Sequence, residues 1–351
     1  MHARLTILLS VICLGVQAQT SILSLSNYSN ARFEGYGEVG SVAPPEYGFV
    51  AFQQNPALLS HFSQQAGGRF SYGIVDDYYY GAYYLDHIAG FFSINPRHVV
   101  GGSYKHMVLD LQHSIGDANT QSTTGDEYCI NYIYSYAVTD ALRLGVGISY
   151  IWYEVRSGQW YAYPQPHSTG ISVKENTFSF DVGMEYMEQI PLDDRTTLLL
   201  SLGTVVNNIG PKVDYLDDME VNKRSMPTIG RAGGLIGLNI KISKRIRLHP
   251  SFAYQVEKYL VEVDAPDFKR RLIYNHGAEL RIEFGENFFI AARCGGVDNE
   301  IMDKLFTPVG FGINLYGFHI DFAMDAKGFG KHNLDLIGFI NLGFRSKLKH
   351  E

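Results

Sequence analysis

The stretch Phe318-His-Ile-Asp-Phe-Ala-Met-Asp325 decides the fold that the sequence predicts. Its large apolar residues occupy every second position, and His319, Asp321 and Asp325 fall between or after them. Successive side chains on a β-strand point to opposite faces, so this pattern predicts a strand with one apolar and one polar face. The same alternation recurs at residues 178–186, 280–284 and 334–344. The chain is therefore predicted to be all-β.

About fourteen candidate strands follow one another, and the connections between them alternate in length. The strands are near residues 68–75, 80–94, 97–109, 126–138, 141–156, 174–187, 196–206, 227–242, 246–257, 271–284, 288–295, 307–315, 317–325 and 333–344. The longer polar loops are at residues 110–125, 157–173, 207–226, 258–270, 296–306 and 326–332. This asymmetry is typical of a closed transmembrane barrel of antiparallel strands in a bacterial outer membrane, with its short turns in the periplasm. Closure is required because hydrocarbon cannot hydrogen-bond the backbone groups of a free sheet edge.

The composition fits a lipid-embedded sheet. Tyrosine (24) and phenylalanine (21) are abundant, there are 36 glycines, and charged residues make up only 19% of the chain. A water-soluble domain usually carries about 25% charged residues. The alternative is a soluble β-sandwich or propeller, whose strands are usually shorter, near five or six residues. The net charge of -7 gives no overall attraction to nucleic acid.

The sequence divides into four predicted segments. Residues 1–18 read as a secretory signal peptide, because a short apolar core follows Arg4 and ends in small residues at Val16-Gln17-Ala18. Residues 67–344 form the predicted barrel, and residues 345–351 form a basic tail. Two cysteines, Cys129 and Cys294, follow the predicted leader, and both lie in strand-like runs. One disulfide between them is possible, but a disulfide framework is not expected.

Residues 19–66 are predicted to form a plug or helical segment at the periplasmic mouth or inside the barrel, because residues 27–66 do not alternate. Asn55-Pro56-Ala57 predicts the start of a short helix, since asparagine caps helices and proline favours the first helical position. Residues 35–40 spell G-x-G-x-x-G, but a dinucleotide site needs that motif between a strand and a helix of a βαβ unit. A glycine-rich plug explains this stretch better.

The sequence contains no recognisable catalytic constellation, and it predicts no enzyme, catalytic residue, cofactor or metal site. A barrel hydrolase with catalytic groups drawn from separate strands stays open as a minor alternative. Trp160, Tyr161 and Tyr163 form an aromatic cluster in the predicted loop 157–173. Such residues either pack on the barrel rim or anchor a partner, since tyrosine and tryptophan dominate interface hot spots.

These segments, in this order, resemble the long-chain fatty-acid channel family of outer-membrane barrels. They look most like its Bacteroidetes relatives, the PorV and PorQ proteins of type IX secretion. The most specific match is a loop motif that is similar to the PorV pattern N-I-G-x-K-I-x-Y followed by I-P-T. Its residues here are Asn208, Ile209, Gly210, Lys212, Tyr215, Pro227 and Thr228.

The resemblance implies a multi-pass protein of the bacterial outer membrane with a non-enzymatic role in type IX protein secretion. In that role, the chain would receive cargo proteins by their C-terminal domains at the translocon and pass them on for surface release or attachment. The implied partners are the translocon, the cargo domains and outer-membrane lipid. The alternative is a channel that takes up a hydrophobic small molecule, as a fatty-acid transporter does.

Overall fold

The computed structural model describes ten stretches of the chain. They are residues 31–45, 52–77, 81–114, 119–161, 168–217, 220–261, 272–285, 287–299, 304–325 and 336–347. The predicted signal peptide and residues 19–30 lie outside these ranges, as does Tyr163. None of the helices in the described ranges is long and apolar enough to cross a membrane.

The chain forms a closed antiparallel β-barrel of fourteen strands, as the alternation predicted. The wall strands are β1 Gln65–Asp77, β2 Gly81–Asn95, β3 His98–Ser114, β4 Asn119–Ala137, β5 Leu142–Tyr161, β6 Ser168–Pro191, β7 Thr196–Ile209, β10 Ile229–Lys241, β11 Ile246–Tyr259, β12 Ile273–Phe284, β13 Phe288–Asn299, β15 Pro308–Leu315, β16 Phe318–Asp325 and β17 Leu336–Lys347. Each wall strand pairs with its neighbours, and β17 pairs with β1 to close the cylinder. Two further strands, β8 Lys212–Asp217 and β9 Glu220–Ser225, form a separate hairpin, and β14 Lys304–Phe306 adds a short pairing to β13.

The strand bounds differ from the predicted ones on the loop side of the barrel. Most of the predicted loops 110–125 and 157–173 belong to strands, because β3 to β6 are 17, 19, 20 and 24 residues long. By contrast, β15 and β16 have only 8 residues each. The wall of β3 to β6 therefore rises well above the opposite wall.

Two predicted segment boundaries also move. The sequence predicts Gln65 and Ala66 in the plug and Arg345 in the tail, but Gln65 pairs with Lys347, Ala66 with Ser346 and Gly67 with Arg345. The ladder between β1 and β17 therefore continues into both segments. Trp160 and Tyr161, predicted in a loop, pair with residues of neighbouring strands at the end of β5.

The outer face carries the apolar side chains that a membrane requires. Phe178, Phe180 and Val182 of β6 are about half exposed on this face, as the alternation predicted. Aromatic rings cluster at two levels, around Tyr128 and Trp152 on the loop side and around Tyr136 near the short turns. Tyr128 and Tyr136 are eight residues apart on β4, or about 27 Å along the strand. With the ~35–45° tilt of such strands, this length rises roughly 20 Å along the membrane normal, which is near the ~25 Å apolar band of an outer-membrane barrel.

The inner face is polar and tightly filled. The inward positions of β1 to β7 and β10 to β13 are odd-numbered, and many hold buried charged or amide side chains. Examples are Arg69, Glu127, Asp181, Glu185, Arg231, Glu257, Glu279 and Arg293. Cys129 is buried inside the barrel, Cys294 is exposed on the outer face, and both are free thiols. The polar inner face can therefore hydrogen-bond other polar groups inside the barrel, including backbone N–H and carbonyl groups.

Candidate functional site: the interior of the barrel

The N-terminal segment runs around the inner wall of the barrel. It begins with the helix α1, Ala31–Gly35, beside β15 and β16, and reaches β2 after the 3-10 helix Pro56–Phe62. Its intermediate residues contact the strands in order. Gly40 and Ser41 donate backbone N–H bonds to Gln255 Oε1 at 2.9 and 2.7 Å, and the Asn55 amide donates to the Met184 carbonyl at 3.2 Å. We call this segment, residues 31–45 and 52–63, the inner strap.

Inward-facing glycines make room for the strap. A Cβ placed at Gly277 would overlap the Tyr36 carbonyl, and one at Gly203 would overlap the Ser41 carbonyl. The same holds on other strands, at Gly101, Gly145, Gly183, Gly233, Gly295 and Gly310. Glycine allows one backbone to approach another closely because it has no side chain. In the described part of the chain, these glycines form a groove across eight strands, and the strap fills it.

A buried ion network fixes the start of the strap. The Arg32 guanidinium donates to Asp321 Oδ1 at 3.1 Å, and Arg293 Nη1 lies 3.0 Å from the same oxygen. Arg293 also donates to Glu279 Oε2 at 2.8 Å. These four side chains are almost fully buried. Removing one partner of such a network would leave an uncompensated charge, which is strongly destabilising.

Asn55 holds the second half of the strap, as its position before Pro56 suggested. Its Oδ1 accepts the N–H of Ala57 at 3.1 Å and caps the 3-10 helix, whose first residue is Pro56. Its Nδ2 donates to the Ser41 carbonyl at 2.7 Å, which ties the two described parts of the strap together. The structure thus brings Asn55, Pro56 and Ala57 together against β5 and β6.

Two carboxyl groups of the strap, those of Glu34 and Glu38, interact inside the barrel, and the interaction changes the pKa of Glu38. Glu38 lies inside the barrel near Glu34 and Glu257. Burial raises the pKa of Glu38 well above its usual value, and the two neighbouring carboxylates raise it further. Glu38 also adopts a positive φ of 58°, which is uncommon for a residue with a side chain. The protonated form of Glu38 is therefore the one that the closed barrel favours.

The hairpin β8–β9 folds into the loop-side half of the barrel. Val213 is buried, the Tyr153 hydroxyl donates to the Asp214 carbonyl, and the Asp214 N–H donates to Glu175 Oε2 at 2.6 Å. The hairpin covers an inward-facing cluster, which we call the mouth cluster. Its main members are Leu85, Met107, Ile151, Tyr153, Val155, Val173, Val213 and Met226.

The motif that resembles the PorV pattern forms the base of this hairpin. Asn208 has a φ of 60°, its N–H donates to Asp181 Oδ1 at 2.8 Å, and its Nδ2 donates to the Pro227 carbonyl at 3.1 Å. The Thr228 hydroxyl donates to the Asn208 carbonyl at 2.8 Å. Gly210 packs against Met226. Ile209 ends β7, while Lys212 and Tyr215 lie on β8 opposite Ser225 and Asn222. The chain therefore turns inward at Asn208 and returns to the wall after Thr228.

A small polar cavity lies beside Gln53 and Gln54 of the inner strap. It has a volume of about 40 Å³ and is lined by Gln54, Lys105, Asn131, Asp181 and Arg231, among others. In the described ranges, no group of three His, Cys, Asp or Glu side chains is arranged to hold a metal ion. The interior thus holds an apolar cluster beneath the hairpin, a small polar cavity and the inner strap.

Sequence reasoning missed the glycine groove, the ion network and the hairpin. The glycines share the inward parity of the buried polar residues, and this was a usable signal. The ion network was not visible because Arg32 and Asp321 are 289 residues apart. Trp160 and Tyr161 are near the top of the tall wall, far from the strap.

No protein-family model matches the chain, and no curated protein matches it. Similar solved structures include the toluene transporter TbuX of Ralstonia pickettii, with a TM-score of 0.53 and 10% identity, covering 93% of this chain and 100% of that one. The CymD monoaromatic hydrocarbon channel has a TM-score of 0.52 and 12% identity, covering 92% of this chain and 98% of that one. The chain has the fatty-acid-channel type of barrel fold. At such low identities the likeness establishes the fold alone, so the predicted fold is confirmed and the type IX assignment stays a prediction.

Proposed function

We propose that this chain is an outer-membrane barrel that takes up a hydrophobic small molecule through its loop-side mouth. The mouth cluster carries this proposal. A lumen that conducts water and ions is lined by polar groups, whereas here Leu85, Ile151 and Val173 face inward and are buried beneath a hairpin. Small apolar ligands bind among apolar side chains with a few polar groups beside them, and the mouth cluster offers such side chains beneath a hairpin. The similar structures described as a toluene transporter and a monoaromatic hydrocarbon channel support the same class of cargo.

Uptake of radiolabelled toluene by cells that express the chain tests this proposal. Ile151→Trp would fill the mouth cluster, and we expect uptake to fall several-fold relative to the unaltered chain. Ile148→Trp is the matched control, because Ile148 is on the same strand but faces the membrane. Heat-dependent gel mobility shows whether each barrel is folded. Uptake no greater than in cells with an empty vector, or equal uptake by both variants, would contradict the proposal.

A second candidate is the non-enzymatic role in type IX secretion that the loop motif implies. The strap seated around the inner wall supports it, because a protein that passes cargo along its outer surface needs no open pore. Co-purification with the translocon or with a cargo C-terminal domain would favour this role. If deletion of the gene abolishes toluene uptake and leaves secretion intact, the channel is correct and this candidate fails.

A further inference from the structure

One side of β6 is an open sheet edge. Along the wall, β6 pairs with β5 from Tyr186 to Ser168 without a register shift. Its pairing with β7 ends at Phe180 opposite Ile209, because β7 turns inward at Asn208. No strand in the described part of the chain pairs with the other side of residues 168–177, and the β8–β9 hairpin forms its own sheet. This edge is about ten residues, or roughly 33 Å, long.

Along β6, the backbone N–H and carbonyl groups of odd-numbered and even-numbered residues point toward opposite neighbouring strands. The Met187 N–H donates to the Ala141 carbonyl at 2.8 Å, so odd-numbered residues direct their backbone groups toward β5. Even-numbered residues then direct theirs toward the β7 side, and the Phe178 carbonyl does lie close to Gly210. At the open edge, the N–H and carbonyl groups that no described strand pairs with are therefore those of Gly170, Ser172, Lys174 and Asn176.

The open edge lies where water replaces hydrocarbon. Phe178 belongs to the loop-side aromatic girdle, and the outward residues above it, Asn176, Lys174 and Ser172, are polar and exposed. An unpaired edge is not tolerated in hydrocarbon, but it is tolerated in water as a template for another strand. Residues 168–177 contain no proline and their pairing with β5 contains no bulge, two devices that protect edges in other proteins.

The outward-facing charges beside the edge are positive on balance, while Glu175 faces inward, where it accepts the Asp214 N–H. Lys174 Nζ lies 3.1 Å from Glu154 Oε2, and Arg156 binds the other oxygen of the same carboxylate. Two exposed cations thus share one anion, at 78% and 67% side-chain exposure. The acidic side chains of this row, Asp86 and Asp126, flank His106 on the strands farther from the edge. The open edge therefore favours an acidic strand.

We propose that the edge of β6 at residues 168–177 binds an extended, acidic segment of another polypeptide by adding it to the sheet. Backbone hydrogen bonds would supply the affinity, and Lys174 would supply the preference for acidic side chains. A second copy of this chain does not fit. Two copies in one membrane are related by an axis along the membrane normal, so their tilted β6 strands would cross and could not pair along their length. The proposal does not depend on what the barrel transports.

A fluorescent decapeptide of alternating glutamate and valine tests the proposal against the full chain in detergent micelles. Fluorescence anisotropy measures binding, with the lysine–valine decapeptide as the charge control. Ser172→Pro removes an edge N–H without touching a bond to β5, and Ser172→Ala keeps that N–H. We expect Ser172→Pro to weaken binding about fivefold, the effect of one lost backbone bond, and Ser172→Ala to leave it unchanged. Lys174→Glu is expected to reverse the preference between the two peptides.

Heat-dependent gel mobility establishes that each variant keeps a closed barrel. If the unaltered chain binds neither peptide, the edge is already covered and the proposal is wrong. Equal binding by Ser172→Pro and Ser172→Ala would also overturn it, because the backbone edge would then play no part. Toluene uptake and peptide binding are measured separately on the unaltered chain. Absence of toluene uptake with normal peptide binding would contradict the proposed transport and leave this proposal standing.

Discussion

At the scale of single residues, the strap fits against the wall because the inward-facing glycines there have no Cβ atom. Gly277→Ala would place a methyl group against the Tyr36 carbonyl, where neither backbone can move freely. Overpacking of this kind costs about 1–3 kcal/mol. We expect the strap to loosen while the barrel stays closed. Trypsin cleavage after the buried Arg32 measures the loosening, and we expect it to be faster in this variant.

Gly90→Ala is the matched control for that substitution. Gly90 is also a strand glycine, but the nearest atom to a Cβ there is the Gly67 carbonyl oxygen at 3.6 Å, an ordinary contact. Cleavage after Arg32 is expected to be as slow as in the unaltered chain. If Gly277→Ala and Gly90→Ala behave alike, the glycine groove does not hold the strap.

Glu38 gives the strap a pH dependence whose sign follows from its raised pKa. Because the closed barrel favours the protonated carboxyl, stability falls as the pH rises from about 4.3, the pKa of a free glutamate, toward the raised value. Glu38→Gln keeps a neutral side chain at all pH values. We expect it to raise the thermal midpoint at pH 8, where the carboxylate form of Glu38 is unfavourable in the closed barrel, and to change it little at pH 4. An equal change at both values would exclude titration of Glu38 as the cause.

The sequence largely predicted which side chains face lipid and which face the lumen. It did not predict which side chains bond to one another inside the lumen. The alternation correctly placed Phe180 outward and Asp181 inward, because a strand allows only two directions. It could not predict that Asp181 would accept the Asn208 N–H, since that contact depends on the inward turn of β7. Contacts across the lumen depend on closure of the whole cylinder, which no local pattern encodes.

At the scale of elements, the base of the β8–β9 hairpin is held by side chains that bond the backbone. Thr228→Val removes the bond from the Thr228 hydroxyl to the Asn208 carbonyl, worth about 0.5–1.5 kcal/mol. We expect amide hydrogen exchange in the hairpin to become about fivefold faster. Mass spectrometry of peptides from Lys212–Asp217 and Glu220–Ser225 measures the exchange.

Thr204→Val is the control, because the Thr204 hydroxyl makes a similar bond, to the Arg231 carbonyl at 3.1 Å, on the wall rather than at the hairpin. Exchange in the hairpin is expected to be unchanged in that variant. Faster exchange in both variants would indicate general loosening of the barrel. No change with Thr228→Val would mean that the motif does not hold the hairpin.

The elements inside the membrane were predictable because one face of each meets lipid. The loop-side ends of β3 to β6 were not predictable, because they extend beyond the apolar band. Residues 119–124, for example, show no apolar alternation. The hairpin β8–β9 was read as part of a loop for a related reason. Eight of its twelve strand residues are polar, the others being Val213, Tyr215, Leu216 and Val221, and its position inside the mouth depends on Asn208.

At the scale of the whole molecule, the barrel has a defined place in the membrane and a defined orientation. The aromatic girdles set the apolar band, the tall wall stands outside it, and the short turns lie on the opposite side. Cys294 lies within the band on the outer face, Lys174 lies above it, and Ser243 lies in a short turn. These three positions allow a direct test by thiol labelling.

A charged, membrane-impermeant maleimide is expected to label Lys174→Cys in intact cells, since that position faces the outside. It is expected to label Ser243→Cys only after the outer membrane is made permeable. Both substitutions are made together with Cys294→Ser, and Cys129 is buried inside the barrel. In the unaltered chain, we expect Cys294 to react with an apolar pyrene maleimide and not with the charged reagent, because lipid surrounds it. Labelling of Ser243→Cys in intact cells would reverse the orientation, and labelling of Cys294 by the charged reagent would place that wall in water.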